Sequence, residues 1–317
     1  MFKKKELICT VNNEKSFSKA AEKLIISQPS LSASIKKIEE EIGMPLFDRS
    51  TNPIQLTECG REYIKCAEQI YDTENSFLNY INDLTLLRTG TLTVGTNHLY
   101  SAYILPPIVS SFIDTHPNIR LNLIEGSTYE LERKLFNGDI DLVIDTKEFS
   151  SDLFDKYYFG VEHLVLAVPR KFECNHRVMQ YQLSTEDIIM NKHINSQAMP
   201  VPFDIFKNEP FILMKNGSDT RERTDRIFKK HGIKPNIVLE LEQLSTVFHI
   251  ISIGTGISLV SDTLIRHTHL DTKNLCFYKL SETDLQRNIF FQYKKNKYIS
   301  YAMKEFIHLS APVNSNL

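Results

Sequence analysis

The 317-residue chain has no surplus of charge, no long apolar run and no cysteine pairing pattern, and each absence removes a class of protein. Lys and Arg total 37 against 39 Asp and Glu, a formal net charge of −2. On that figure alone nucleic acid is a poor partner, because phosphate binding wants a basic surface. No window approaches the roughly 18 consecutive apolar residues of a membrane span. The basic start Met1-Phe2-Lys3-Lys4-Lys5 is followed by an apolar stretch that polar residues interrupt after Cys9, too short for a secretory signal. A cytoplasmic protein is expected.

The five cysteines (9, 59, 66, 174 and 276) are odd in number and scattered, without Cys-x-x-Cys. Neither a disulfide framework nor a cysteine zinc site is expected. Internal repeats and low-complexity tracts are missing, which excludes solenoids. Gly-x-Ser-x-Gly, a Walker sequence and His-Glu-x-x-His are missing too, so nothing reads as catalytic. His267-x-His269 lacks Cys, Asp or Glu at ligand spacing and reads as a polar loop, not a metal site. Gly254-x-Gly256 is too short for a dinucleotide motif.

What is present is ordinary in bulk and specific in detail. Apolar residues make up 42 % and charged residues 24 %, the balance of a globular protein. At about 150 residues per domain the length suggests two or three units. Residues 1–58 carry 9 basic and 8 acidic side chains, 59–88 carry 3 and 5, and 89–317 carry 25 and 26. Three segments are expected: a helical domain over 1–58, a linker helix over 59–88 and an α/β domain over 89–317.

In the first segment, Ser16 to Leu24 reads as a short helix whose adjacent Ala20 and Ala21 let another helix come close. Ile25-Ile26-Ser27 makes a brief turn. Ser27 is a good N-cap, and Pro29 sits where its missing N–H is harmless. Leu31, Ile35, Ile38 and Ile42 then form one apolar stripe, and Gly43 stops the helix. Pro29, Ala33, Lys36, Lys37 and Glu40 lie opposite that stripe, flanked by Ser30 and Ser32. Two helices joined by a tight turn, the second showing small polar and basic groups outward, make a helix-turn-helix pattern. Small side chains let the backbone sink into a major groove. Gln28 can pair with a base edge, notably adenine, while Ser and Lys reach phosphates. The spacing alone fits a plain helical hairpin with solvated serines and lysines equally well.

The string Ser16-Phe17-Ser18-x-Ala20-Ala21-x-x-Leu24-x-x-Ser27-Gln28-Pro29-Ser30-x-Ser32 resembles the signature of LysR-type transcriptional regulators. So do Ile35-x-x-Ile38-Glu39, Gly43-x-Pro45-Leu46-Phe47-x-Arg49 and Leu56-Thr57-x-x-Gly60, in order and without gaps. The resemblance implies a winged helix-turn-helix, with the helix-turn-helix at Phe17 to Lys36 and a wing from Pro45 to Gln55. It implies DNA contacts from Ser27, Gln28, Pro29, Ser30, Ser32, Ala33, Lys36, Lys37 and Arg49, the last near the backbone or minor groove. Thr10 stands where the family usually has Phe, and Ala33 and Ser34 where a basic residue and Gln are common. The wing carries Arg49 alone where relatives often have more basic residues. Fewer phosphate contacts imply weaker nonspecific affinity and a shallower salt dependence. The Ala33 methyl can meet a thymine methyl.

From Thr57, read as an N-cap, Tyr63, Ile70, Phe77 and Leu84 recur every seven residues, with Ala67 and Ile81 between. Such a repeat along a helix of roughly 40 Å needs a partner helix. Packing on the chain's own domain is the alternative, and Glu74 at one seam position weakens a coiled coil. The resemblance implies an antiparallel pairing of subunits, hence a homodimer or homotetramer reading two half-sites of double-stranded operator DNA. RNA polymerase is a further implied partner if the protein activates; a membrane is not.

From Gly90 the chain alternates. Strands are expected at 91–95, 121–125 and 140–144, with helices at 130–137 and at 104–112, the latter broken into by Pro106-Pro107. A second set begins with a strand at 164–168. It includes strands at 211–214, 237–240 and 258–260 and helices at 220–231 and 244–253. A last strand (289–293) and helix (298–309) return to the first lobe. This alternation implies a mostly parallel, doubly wound sheet. Gly90-Thr91-Leu92-x-Val94-Gly95, Leu105-Pro106-Pro107-(x)4-Phe112-(x)4-Pro117, Gly138-x-x-Asp141-Leu142 and Gly254-x-Gly256-Ile257 resemble the same family's effector domain. That implies a two-lobed α/β fold like the type 2 periplasmic binding proteins. Lobe I would cover about 89–162 and 268–317, and lobe II about 163–267.

In open α/β sheets ligands sit outside the carboxyl ends of strands, near helix N-termini. The candidate effector residues are accordingly Thr96, Asn97 and His98 after the first strand, and Ser127 and Thr128 after the second. Asp145 and Thr146 follow the third, with Ser196 and Gln197 on the second lobe. For each, the alternative is a loop cap or turn former. Thr96 matches a position where such regulators hold a hydroxyl for the effector. His98, in place of a smaller residue, can add positive charge near an anion. The expectation is a DNA-binding transcriptional regulator controlled by a small anionic effector, without cofactor, metal or catalysis. The rival is a Rossmann-like enzyme or solute-binding protein carrying an incidental helical hairpin.

Overall fold

The computed structural model describes residues 1–84, 89–195 and 198–310, in two compact units, Met1–Tyr80 and Ile81–Leu317. The first begins with α1 (Lys5–Glu14), α2 (Phe17–Lys23) and α3 (Gln28–Ile42). A two-stranded wing follows, β1 (Phe47–Asp48) against β2 (Gln55–Leu56), and then α4 (Glu58–Leu84).

Local signals explain these boundaries. Ser16 and Ser27 cap α2 and α3 by accepting from Lys19 N and Ser30 N, and Gly43 closes α3 at φ 82°. Leu31, Ile35 and Ile38 are buried in one core with Ile8, Val11, Ala20, Ala21 and Phe47, and Ile42 packs at its margin. Each fully buried aliphatic contributes about 1.5–3 kcal/mol. Thr57 Oγ1 accepts from Gly60 N at 2.9 Å and so caps α4. Gly60 must lack a Cβ, which would stand 2.0 Å from Leu46 O. Further along α4, Tyr63 and Ala67 are buried and Ile70 partly so, while Phe77 and Leu78 are exposed. The expected end of the linker helix, at 85–88, lies outside the described residues.

The second unit is built on a seven-stranded sheet. β3 (Gly90–Thr96) lies between β4 (Ile119–Glu125) and β5 (Leu142–Asp145), parallel to both. β11 (Gln286–Lys294) runs antiparallel between β5 and β6 (Phe154–Pro169). β6 continues antiparallel to β9 (Ser258–Ser261) and β10 (Leu275–Tyr278). β7 (Pro210–Met214) and β8 (Asn236–Leu241) form a parallel pair of their own. The helices are α5 (His98–Tyr103), α6 (Leu105–Thr115), α7 (Thr128–Asn137), α8 (Thr185–Ile189), α9 (Asp219–Lys230), α10 (Leu244–Ser252), α11 (Asp262–His267) and α12 (Tyr301–Ser310).

Three features differ from the sequence reading. Pro106 and Pro107 start α6 instead of breaking into it, because a helix's first positions need no intrahelical N–H bond. β6 begins at Phe154, where exposed Lys156, Tyr157 and Tyr158 hide the strand from an apolar-run reading. β10 still pairs with residues 166–169, so the chain returns to first-lobe strands only with β11, later than about 268. The main core is continuous across both lobes: Leu92, Phe112 and Phe306 share it with Ala167, Ile212 and Val260. No described helix is long and apolar enough to cross a membrane.

Candidate DNA-binding surface and effector cleft

On α3 the sequence-predicted residues come together. Ser27, Gln28, Pro29, Ser30, Ala33, Lys36 and Lys37 are exposed and Ser32 is half-buried. Lys36 is paired only loosely with Glu40, at 3.8 Å with both side chains largely exposed, so its ammonium remains available to a phosphate. Arg49 is held differently. Its Nη2 donates to Glu39 Oε2 at 2.9 Å, and its guanidinium lies 5.3 Å from the Phe17 ring centre.

Glu39 is the functional residue that sequence reasoning passed over. Within the run Glu39-Glu40-Glu41, the last two are exposed and Glu39 turns inward. Its Oε1 accepts from Leu46 N at 2.8 Å and Phe47 N at 3.3 Å. One carboxylate therefore clamps the start of the wing to α3 and orients Arg49. A charge count treats it as repulsion toward DNA; its place beside Ile38 in the family-like string Ile35-x-x-Ile38-Glu39 was the hint otherwise.

In the second unit a cleft of about 610 Å³ opens at the carboxyl ends of β3, β4 and β5. Asn97, His98, Ser127, Thr128, Asp145 and Thr146 all line it. Thr96 does not. It is fully buried, and its Oγ1 donates to Ile144 O at 3.2 Å across the β3–β5 pair, so the hydroxyl is spent on the sheet. Ser196 and Gln197 lie outside the described residues.

Several wall residues also do the local jobs of caps. Asn97 accepts from Tyr100 N, and Ser127 forms a capping box with Glu130. Thr128 donates to Asp145 Oδ2 at 2.9 Å. Burial raises the Asp145 carboxyl above its ordinary pKa, against hydrogen bonds from Lys147 N and Thr128. Hydrogen bonds from Ser101 and His98 hold the Glu125 carboxyl below its usual value.

Arg287, at the cleft floor, was not legible in the sequence. It is buried, with Nε 2.8 Å from Glu162 Oε1 and Nη1 2.9 Å from Asp219 Oδ2 and 3.0 Å from Thr220 Oγ1. Glu162 is itself fully buried and accepts from the hydroxyls of Tyr100 and Ser261. Asp219 also accepts from Arg223 Nε at 2.8 Å and Thr146 Oγ1 at 3.3 Å. Burial opposes the charge on Arg287, but Glu162, Tyr100 and Asp219 outweigh it and raise its pKa. Burial also opposes the charge on Asp219, and Arg287 with Arg223 overcomes it, holding that carboxyl below its ordinary value. A lone arginine inside a strand carries no spacing signal; the fold alone assembles residues 100, 146, 162, 219, 261 and 287.

The charge around the cleft is mixed. Glu125, Glu130, Asp145, Asp219 and Glu242 face Lys215, Arg287 and His98. The two full cations are already matched, Arg287 as above and Lys215 by Glu242 at 2.7 Å. Further positive potential comes from backbone: N-terminal residues of α7, α9 and α10 line the cleft.

A head with an exposed reading helix, carried on the same chain as an α/β domain with a polar cleft at its strand ends, defines a ligand-controlled DNA-binding regulator. Residues 2–61 match the family model for the bacterial regulatory helix-turn-helix protein, lysR family, and residues 87–313 match that for the LysR substrate binding domain. The chain belongs to the LysR family of transcriptional regulators, proteins that bind operator DNA, assemble as oligomers and carry an effector-binding domain. Nothing supports the rival reading as an enzyme. The chain is similar to the HTH-type transcriptional regulator YcgK of Bacillus subtilis (strain 168), 28 % identical over 96 % of this chain and 92 % of the relative. Full-length OxyR from Pseudomonas aeruginosa shares the fold with a TM-score of 0.68 at 19 % identity, covering 96 % of this chain and 92 % of that one. Full-length CbnR complexed with its target DNA does so with a TM-score of 0.61 at 18 % identity, covering 99 % of both chains.

Proposed function

We propose that residues 1–58 act as the reading head, 59–88 as the pairing helix and 89–317 as the sensor of a cytoplasmic regulator. The observation that carries this reading is the outer face of α3, where Gln28, Ser30, Ala33, Lys36 and Lys37 stand exposed together. In a major groove, Gln28 and Ala33 meet base edges while the serines and lysines meet phosphates. Arg49, steadied by Glu39, presents one wing cation. A head of net charge +1 makes few phosphate contacts, so operator binding depends on two or more heads acting together. Phe77 and Leu78, 61 % and 59 % exposed on α4, are apolar surface that a second copy covers. An activating form would also touch RNA polymerase.

The effector enters the cleft. Helix N-termini favour the anionic group expected from the sequence, but the acidic walls disfavour a bare dianion. A small dipolar molecule, such as an amino-acid-like zwitterion, suits both, with its cationic end toward Asp145 and Asp219. Its binding shifts the population of effector-domain states and so the spacing of paired heads.

Footprinting on the region upstream of the chain's own reading frame tests the DNA reading. Protection at low salt is expected, and Gln28→Ala with Lys36→Ala abolishes it while thermal stability stays within about 1 kcal/mol. Unchanged affinity in that double variant means the wrong helix has been seated in the groove. A thermal-shift panel contrasting zwitterions with simple carboxylates tests the cleft. The shift disappears in Asp145→Asn; a ligand whose shift survives that change binds elsewhere.

A further inference from the structure

Among the described residues one group of metal-ligating side chains lies together, and neither the reading face nor the cleft uses it. His163 of β6, His193 in the turn after α8 and Asp262, the first residue of α11, each place one ligand atom within 4.8 Å of the others. Asp262 Oδ2 is the hub, 2.9 Å from His193 Nε2 and 3.5 Å from His163 Nδ1. The other carboxylate oxygen is already engaged, Oδ1 accepting from the backbone N–H of His163 and of Thr263, both at 2.9 Å. Those two bonds fix the carboxylate plane. His193 and Asp262 are almost wholly buried, and His163 mostly so.

Two ring nitrogens here are unsatisfied. His163 Nδ1 is buried and faces Oδ2 without hydrogen bonding to it, and His193 Nδ1 is buried with no partner. A buried polar atom left unpaired costs about 1–3 kcal/mol in a merely structural cluster. For His163 Nδ1 the deficit vanishes if its lone pair meets a cation.

We infer that His163 Nδ1, His193 Nε2 and Asp262 Oδ2 bind one divalent transition-metal ion, with zinc as the representative. Zinc sits about 2.0–2.2 Å from imidazole nitrogen and carboxylate oxygen, which separates tetrahedral donors by about 3.2–3.6 Å. The 3.5 Å separation from Asp262 Oδ2 to His163 Nδ1 lies inside that range, the 2.9 Å to His193 Nε2 is shorter than it, and the two ring nitrogens are within 4.8 Å of each other. Two imidazoles with one carboxylate suit zinc, cobalt, nickel or iron(II), and not calcium or magnesium, which prefer all-oxygen sets. Three protein ligands leave a fourth position for water on the partly exposed His163 side. Binding takes the Nε2 lone pair, so in the bound state the neutral His193 ring carries its proton on Nδ1 instead of sharing it with Asp262. Arg266 opposes the ion, its Nη2 lying 3.4 Å from Oδ2, although Ile189 O and Asn191 Oδ1 anchor the same guanidinium. The site adjoins the cleft floor through sequence neighbours, because Glu162 and Ser261 precede His163 and Asp262 and are hydrogen-bonded to each other.

The test uses the full-length chain, stripped with a chelator and returned to metal-free buffer. Zinc chloride is titrated against a chromophoric chelator, and bound zinc is counted by elemental analysis. One ion per chain at micromolar or tighter affinity is expected. His163→Asn and His193→Gln should each weaken it at least about tenfold, and Arg266→Ala should strengthen it. His193→Gln keeps a hydrogen-bond donor toward Asp262, and thermal unfolding checks that each variant folds. Cobalt(II) in the wild type should give tetrahedral d–d absorption that His163→Asn abolishes. Equal zinc binding by the wild type and both histidine variants would assign the metal to other side chains and overturn the inference, as would a wild type that retains no zinc.

Discussion

Replacing Arg287 by Met is the sharpest probe of the cleft floor. The side chain volume is roughly kept, but Glu162, fully buried, loses its counter-charge, and Asp219 retains only Arg223. Breaking one side of a buried ion pair costs about 3–5 kcal/mol, mostly the penalty of the stranded charge. In a unit of this size each kcal/mol moves Tm by about 2–4 °C, so the melting temperature of the unit that holds Arg287 should fall by about 6–20 °C. Urea unfolding followed by circular dichroism at pH 7 should show a lower midpoint with unchanged slope. Adding Glu162→Gln should recover part of the loss, since Gln still accepts from Tyr100 or Ser261 without stranding a charge. A single-variant loss under about 1 kcal/mol, or no recovery in the double variant, would refute the view that these charges depend on each other.

Gly60→Ala should destabilise the N-terminal unit by about 1–3 kcal/mol or more, because the new Cβ meets Leu46 O, a backbone atom that also accepts from Thr57 N. An unchanged melting temperature would contradict that close approach. Glu39→Ala removes two backbone bonds and the Arg49 pair, so hydrogen exchange at Leu46 and Phe47 should speed up; equal protection would show that the wing does not rely on the clamp. The two cleft aspartates should act oppositely with pH. The stabilisation from Asp219, whose pKa is depressed, is complete above its ordinary value near about 4 and drains as pH falls through the depressed one. Asp145, with its raised pKa, contributes fully below that ordinary value and loses its contribution as pH rises through the raised one. Asp145→Asn should therefore flatten the decline just above pH 4 in a stability-versus-pH series, and an unaltered series would count against its burial.

What was legible was local. Ser27, Pro29, Gly43 and the Leu31–Ile35–Ile38 stripe carry their meaning within one helix, so cap, register and exposed face followed from spacing. The positions of Asn97, Ser127 and Thr128 followed from strand ends, since the loops that leave them border the cleft. Thr96 did not follow, because its hydroxyl depends on which carbonyl the neighbouring strand offers. Arg287 and His163 escaped for the same reason, each taking its partner from a distant stretch of chain, while Glu39 finds its partners seven to ten residues on, across the turn into the wing, which a helical period does not reach. Short elements such as β10, α8 and α11 were missed because four to six residues give too little of a period.

The length of β6 sets a mechanical limit on the sensor. It bonds to β11 along its first part and to β9 and β10 along its last, so one strand runs through both lobes, paired on one side by β11 and then β9 and on the other by β10 near its end. Hinges work by letting a few free residues absorb large dihedral changes, and a strand laddered in this way offers little room, its β11 register breaking once, at Phe159. The two lobes are therefore expected to move less like the shells of a clam than like two weights on a torsion bar. The expected response to a ligand in the cleft is a small twist of that strand, not a wide hinge opening.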